Sequence, residues 1–295
     1  MSLAGTLCYS LAKRMVLTRR TGAAGENPAT FDLATYQQWR EAELRAQFTE
    51  HFRFDEVAGK DVLDFGCGGG TLSMLIARHG VKSITGVDLN PQMIAQAQDE
   101  MRHLNGATPP QVPRFVLGAD PKKIEFPDNS FDVILCFDVL EHILDYREII
   151  PEWQRILRPG GKVFIWWVPW FHPYGHHAES LLPLPWAHVF FSDKTLIEAC
   201  ARVYDMPEFK PRWWDLDENG RKKPNKWRSM AQLEALNKLT IREFEQLCAQ
   251  TGLQIATREL VGFNSSVAAP LTRSLAHLPV TREFFCSRVI YRLQK

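Results

Sequence analysis

Short apolar runs alternate with helix-period stretches along most of the chain. Asp61-Val62-Leu63-Asp64-Phe65 is a compact apolar strand ending in the turn Gly66-Cys67-Gly68-Gly69-Gly70. A helix is predicted from Thr71 to His79, stopped by Gly80. Ser83 to Asp88 reads as a second strand, followed by a helix with Asn90 as N-cap and Pro91 in its first turn, running to about His103. Arg114–Leu117 and Phe131–Phe137 are the third and fourth strands, and a helix is expected from about Asp145 to Leu157. After the turn Arg158-Pro159-Gly160-Gly161, Lys162–Val168 is apolar at successive positions, as a parallel strand covered on both faces would be.

Outside this repeat the pattern changes. Upstream, Phe31–Phe52 has helical spacing, with Tyr36, Trp39, Glu43, Leu44 and Gln47 three or four residues apart. Downstream, Pro169 to about Leu239 is rich in Pro, Trp and His. Only Asp193–Val203, capped by Ser192, reads there as a helix. Thr240-Ile241-Arg242-Glu243 is a capping box for a helix to Gln250, which Gly252 ends. Leu253–Val261 and Ser287–Leu293 complete the strands. Alternating strands and helices joined by short loops predict an α/β fold, a Rossmann-like doubly wound, mostly parallel seven-stranded sheet with an inserted Pro/Trp/His-rich cap after strand five. The organisation expected is a basic segment over 1–30, a cofactor-binding core over 31–168, a substrate-pocket insertion over 169–239 and completion of the sheet over 240–295.

Composition narrows the picture mainly by exclusion. With 35 basic and 34 acidic residues the net charge is +1, so no global field draws nucleic acid, and no nucleic-acid partner is expected. Cys8, Cys67, Cys136, Cys200, Cys248 and Cys286 are scattered without a C-x-x-C pair, which argues against a zinc site or a disulfide framework and for a reducing cytoplasm. No apolar run approaches the ~20 residues that span a bilayer. From Met1 to Gly25 there is no acid, while Lys13, Arg14, Arg19 and Arg20 accompany Leu3, Leu7, Leu11, Met15 and Leu17. The readings of this segment that stand are a helix in weak contact with a membrane surface, a transit-like segment, or a helix that forms a lid over the active site or simply packs on the rest of the chain.

The candidate chemistry begins at the glycine turn, where backbone N–H groups can approach a ligand with no Cβ between. A dinucleotide fingerprint, G-x-G-x-x-G, would need a third glycine at position 71, which is Thr71. Here Gly66, Gly68 and Gly70 follow Asp64, an acid suited to a cationic ligand and repulsive to a pyrophosphate. Asp88, ending the second strand, can accept from both hydroxyls of a ribose.

Val62 to Gly70 resembles the first motif of class I S-adenosylmethionine (SAM) dependent methyltransferases, and Gly86 to Met93 resembles their second. Phe126 to Ile134, Val139-Leu140-Glu141-His142 and Leu157 to Gly161 are similar to the later motifs, above all in the branch containing ubiquinone-biosynthesis O-methyltransferases. The resemblance implies SAM as cofactor and a small-molecule acceptor with a hydroxyl oxygen as the target; nitrogen, carbon or macromolecular acceptors, or SAM binding without catalysis, remain alternatives. It implies that Asp64, Gly66, Cys67 and Gly68 form the SAM turn, and that Asp88 binds the ribose with Leu89 against the adenine. It further implies that Asp120 accepts from the adenine amino group, Phe137 gives a backbone contact to the amino-acid moiety, and Arg40 or Arg45 pairs with the carboxylate. One departure concerns Pro121, which has no N–H where a ring contact is common.

For proton removal the candidates are His142 and His177, a histidine being ionisable near neutrality. His177 belongs to Phe171-His172-Pro173-Tyr174-Gly175-His176-His177, at the carboxyl end of strand five. Metal binding by this run is disfavoured, because neighbouring histidines ligate one ion poorly and no acid or Cys completes a set. Trp166, Trp167, Trp170, Trp186, Phe190 and Phe191 either line an acceptor pocket or form the insertion's own core. The basic run Arg221-Lys222-Lys223, between Trp213, Trp214 and Trp227 and beside Asp215, Asp217 and Glu218, reads as a solvated loop.

Overall fold

The computed structural model describes residues 3–18, 33–102, 111–212, 215–217, 219–231, 233, 236–263 and 269–295. Arg19, Arg20, the loop at 22–28, His103, Trp213, Trp214 and Glu218 lie outside the described residues. Seven strands form one sheet: β1 (Asp61–Phe65), β2 (Ser83–Asp88), β3 (Arg114–Leu117), β4 (Phe131–Phe137), β5 (Leu157–Trp167), β6 (Gln254–Val261) and β7 (Arg288–Gln294). Their spatial order is β3-β2-β1-β4-β5-β7-β6. The first five are parallel, and β7 runs antiparallel between β5 and β6. The order reverses between β1 and β4, so the crevice at their carboxyl ends is the place for a ligand.

Strand five begins five residues earlier than its apolar run suggested. Leu157 already pairs with Phe131, and the Pro-Gly-Gly stretch stays in the sheet because Gly160 N–H donates to Lys295 O (3.1 Å) and Lys295 N–H to Gly161 O (2.9 Å). The exposed edge strand β6 carries Thr257, Arg258 and Glu259 outward, a surface that resists further strand pairing.

Two layers of helix cover the sheet. On one face α2 (Leu33–His51) and α3 (Thr71–Ala77) bury Leu44, Phe48, Leu72, Leu75 and Ile76 against β1, β4 and β5. On the other, α5 (Tyr146–Ile156) and α8 (Ile241–Thr251) bury Ile149, Trp153, Phe244 and Leu247. Between these layers in sequence, α4 (Pro91–Arg102) packs Ile94 and Ala97 beside Phe115 and Met74. The predicted capping box is present: Thr240 Oγ1 accepts from Glu243 N–H, and the Glu243 carboxylate accepts from Thr240 N–H.

The insertion has a core of its own. Around α6 (Ala187–Phe190) and α7 (Asp193–Tyr204), Leu181, Leu182, Leu196, Cys200, Val203 and Trp227 are buried together. The N-terminal helix α1 (Leu3–Thr18) joins this core through Cys8 and Ala12 and packs along α7. No described residue of α1 lines the cavity described below; of the readings left open, plain packing is the one its contacts with α7 fit. Its leucines face outward, Leu3 being 93 % exposed. Small residues at Gly5, Cys8 and Ala12 allow close approach to α7, whereas the bulky face does not fit there. The chain closes with α9 (Ala269–His277) and α10 (Arg282–Phe285), whose Phe284 and Phe285 rings meet Phe171 and Trp186 of the insertion. No helix among the described residues is long and apolar enough to cross a membrane, and all six cysteines are buried and unbridged.

Candidate active site

The turn after β1 is shaped by side chains pressing on its glycines. Gly66 has φ +73°, and a Cβ there would lie 2.6 Å from Val139 Cγ2, so no larger residue fits without moving the segment after β4. Gly68 differs: φ is +50°, and a Cβ would meet nothing within 4 Å. Its backbone borders open space, which is where a ligand can come close. Cys67 is buried behind the turn, its N–H donating to Val87 O (3.0 Å) and its sulfur lying close to Gly86.

Asp64 does not reach the crevice. Its carboxylate is 2 % exposed and accepts from Ser73 Oγ at 2.6 Å, inside the α3 layer. Burial pushes this carboxyl up to about 6 despite the Ser73 bond. The sequence places an acid correctly beside the turn but not its direction, since even positions of β1 face α3.

Asp88 is the carboxylate that faces the cavity. One oxygen accepts from Gly68 N–H (2.9 Å) and the other from Asn90 N–H (2.8 Å), which fixes the group while leaving lone pairs on both oxygens. A cavity of about 530 Å³ opens beside it, in the size range of a nucleoside site. Gly66, Asp88, Leu89, Asp120, Lys123 and His142 contribute to its wall. Its ionisable lining is mostly acidic, with Asp88, Asp120, Glu125 and Asp145 against Lys123, a balance that favours a ligand carrying positive charge over a diphosphate. The far wall is held by Arg155, which donates to Ile124 O and Phe126 O at 2.8 Å each and pairs with Glu152 at 2.7 Å.

The remaining cofactor candidates fall into two groups. Leu89, 53 % exposed, and Asp120 both lie on the cavity wall. Asp120 accepts from Lys122 N–H (2.8 Å), the nearest donor beyond Pro121, so that N–H is turned back on the acid. Phe137 is instead buried among Phe48 and Phe52, with no side-chain share in the cavity. Arg45 pairs with Glu41 and lies over Phe54, away from the turn. Arg40 reaches the end of β4, donating to Asp138 at 2.8 Å and to Glu43 at 2.7 Å. Asp138 holds a left-handed backbone (φ +55°), a strained conformation of the kind found at functional turns.

The histidine run is sorted by its hydrogen bonds. His172 Nδ1 accepts from Tyr174 N–H and His176 Nδ1 from Ala178 N–H, both at 3.1 Å. His188 Nε2 bonds Trp170 O at 2.8 Å. Burial, with His177 nearby, brings His172 down to about 3, and burial brings His176 to about 4. These rings are neutral braces of the insertion. His177 breaks ranks: φ +51° turns it out of the run and sets its ring 5.3 Å from that of His142, edge to face at 72°. His142 itself lines the cavity. The two catalytic candidates therefore meet, one from the turn after β4 and one from the insertion. Of the aromatics suspected of lining a pocket, Trp166 and Trp167 are buried in the sheet, Trp186 donates to Phe171 O (3.0 Å), and Phe190 is 74 % exposed; none lines this cavity.

One residue beside the site escaped the sequence reading, and a second was read without its burial. Asn237, at the end of the insertion, donates through Nδ2 to Leu140 O (2.6 Å) and Ile143 O (2.9 Å) and through N–H to Glu141 O (2.8 Å). It clamps the turn that carries His142, yet stands 97 positions from Leu140 with no local signal. Glu141 is only 5 % exposed, and its Oε2 makes no hydrogen bond among the described residues. Burial, reinforced by Asp138, pushes its carboxyl up to about 8.

A methyltransferase-domain family model matches residues 63–165, the segment that builds the glycine turn, β2 to β5 and most of the cavity wall. Residues 63–165 form a methyltransferase domain. In curated proteins that domain is matched by ubiquinone biosynthesis O-methyltransferases. One from Pseudomonas aeruginosa is 38% identical over 109 residues, 37% of this chain and 44% of the relative. One from Xanthomonas euvesicatoria is 39% identical over 110 residues, with the same shares. The match thus spans less than half the length of those relatives. Among solved structures, an assigned S-adenosylmethionine-dependent methyltransferase from Listeria monocytogenes is 17% identical with a TM-score of 0.50, covering 86% of this chain and 98% of that one. The [4+2]-cyclase SpnF is 16% identical with a TM-score of 0.50, covering 99% and 94%. At such identity these likenesses concern the fold, and the pair illustrates that one methyltransferase-type fold hosts different reactions.

Proposed function

We propose that this chain binds SAM and transfers its methyl group to a small-molecule acceptor, with a hydroxyl oxygen as the target. The observation that carries this reading is one cavity whose wall includes both Asp88 and His142. The residues suit the cofactor: Asp88 would accept from the ribose hydroxyls, Leu89 would cover the base, and the bare backbone at Gly68 would approach the amino-acid part. Bound SAM supplies an activated methyl group at a sulfonium centre.

What this chain's own residues contribute is alignment and a proton acceptor. Holding two reactants in line removes about 7–11 kcal/mol of barrier in favourable cases. His142, on the cavity wall, would take the acceptor's proton on a ring nitrogen, with His177 fixing the ring's orientation from the insertion side. The insertion then supplies the acceptor side of the site, and the acceptor's identity is a matter for experiment. Calorimetric titration with SAM, followed by S-adenosylhomocysteine release over a panel of hydroxylated acceptors, tests the reading. Tight binding of a nicotinamide or flavin dinucleotide in place of SAM would overturn it; SAM binding with no turnover on any acceptor would favour a non-catalytic SAM-binding protein.

A further inference from the structure

The sequence of α1 holds more apolar bulk than its packing uses. At 100° per residue, Leu3, Leu7, Leu11, Arg14 and Met15 fall within roughly a third of the helix circumference. The adjoining third carries Gly5, Cys8 and Ala12, the residues buried against α7. Tyr9 adds to that side, with the Arg202 guanidinium 3.5 Å from its ring centre. The helix is therefore docked by its small face and presents a leucine stripe outward: Leu7 is 54 % and Leu11 42 % exposed, with Leu17 alongside at 47 %. A helix held only for its own packing would have the reverse arrangement.

We propose that this outward face of α1 docks on a bilayer containing anionic lipid, its leucines entering the interface and its cations meeting the headgroups. Charge selects this occupant. Arg14 lies within the stripe, Lys13 falls about 40° beyond Leu17 on its flank, and no acid occurs between Met1 and Gly25. In a symmetric pairing of two copies, the same face meets itself, and basic residues would face a helix with no carboxylate to receive them. An anionic surface receives both parts at once, the long basic side chains extending from the apolar layer to the phosphates. A single stripe of this size with few cations makes the attachment reversible and composition-dependent. The proposal rests on the packing of α1 and not on the methyl-transfer reading, so either can fail alone.

The test uses the full purified chain and extruded vesicles of phosphatidylcholine, with or without phosphatidylglycerol, read by co-sedimentation. Wild type is expected to bind the anionic vesicles and to release as salt is raised. Leu7→Asp with Leu11→Asp should weaken binding about tenfold or more, because two inserted side chains become charged. Lys13→Gln with Arg14→Gln should weaken it about fivefold per charge removed, on anionic vesicles only. All four positions lie outside the buried face, and unchanged thermal melting of both variants verifies that the fold is intact. No binding by wild type, or equal binding by the Leu7/Leu11 variant, overturns the proposal. So does sedimentation velocity showing a dimer that the Leu7/Leu11 variant dissociates, which would make the stripe a self-interface; vesicle capture that does not depend on phosphatidylglycerol would overturn the anionic part.

Discussion

The His177 ring stands edge-on to the His142 ring, 5.3 Å between centres, although 35 residues and all of β5 separate the two in sequence. Only His142 borders the cavity, so the two are not equivalent. His142→Ala is expected to lower turnover by ~10²-fold or more, the range for loss of a general base. His177→Ala should lower it less, about tenfold, because it removes an orienting partner. SAM affinity, read by calorimetry, should change less than threefold in both. Unchanged turnover in both variants would remove the pair from the reaction.

Asp88 ties the glycine turn to the cavity wall, since the oxygen that accepts from Gly68 N–H belongs to the group proposed to hold the ribose. Asp88→Ala should weaken SAM binding by roughly 10²-fold, the loss of charge-assisted hydrogen bonds in a partly enclosed site. Gly66→Ala should act by another route: its Cβ meets Val139, and the left-handed backbone is strained for alanine. A fall in melting temperature together with weaker binding is expected there, against weaker binding with a near-normal melting temperature for Asp88→Ala. Normal SAM affinity in Asp88→Ala would place the ribose elsewhere.

How much of this was legible in the sequence depended on the kind of information required. Strands β1 to β4 and the glycine turn were readable because parallel strands are continuous apolar runs and Gly and Pro punctuate them locally. The early start of β5 was not, since Pro159-Gly160-Gly161 looks like a turn until Lys295, from the end of the chain, bonds to it. The direction of Asp64 is not legible, because strand alternation gives two faces without saying which borders the ligand. For α1 the bulky residues stand out in the sequence, while the small ones make the internal contact. His172 and His176 looked equivalent to His177 until backbone N–H groups claimed their Nδ1 atoms.

Asn237 offers a test of whether the insertion governs the catalytic turn. Its side chain and N–H satisfy three carbonyls in the span from Leu140 to Ile143. Asn237→Ala removes two of those bonds at a buried position and should cost ~1–3 kcal/mol of stability. If the clamp also orients His142, kcat should fall while SAM affinity holds, and Asn237→Asp, which keeps the shape but loses the donors, should behave alike. A drop in melting temperature with normal kcat at a temperature where the variant is folded would confine Asn237 to stability.

Glu141 makes the last prediction, through pH. Its carboxyl is held near 8 in the folded chain, against an ordinary value of 4.5, because burial and Asp138 both disfavour its charge. Between those two values the unfolded chain has released the proton and the folded chain keeps it. Raising pH therefore draws the equilibrium toward the unfolded state, and the stability present below about pH 4.5 is progressively lost until about pH 8. The loss is on the order of 3–5 kcal/mol by linkage. Glu141→Gln, neutral at every pH, should lack this slope and melt higher than wild type near pH 8. Other groups, such as Asp64, titrate in the same window, so the informative quantity is the difference between the two melting curves. Parallel curves from pH 5 to pH 8 would mean that Glu141 is already ionised in the folded protein, with a partner for its Oε2 that satisfies the charge.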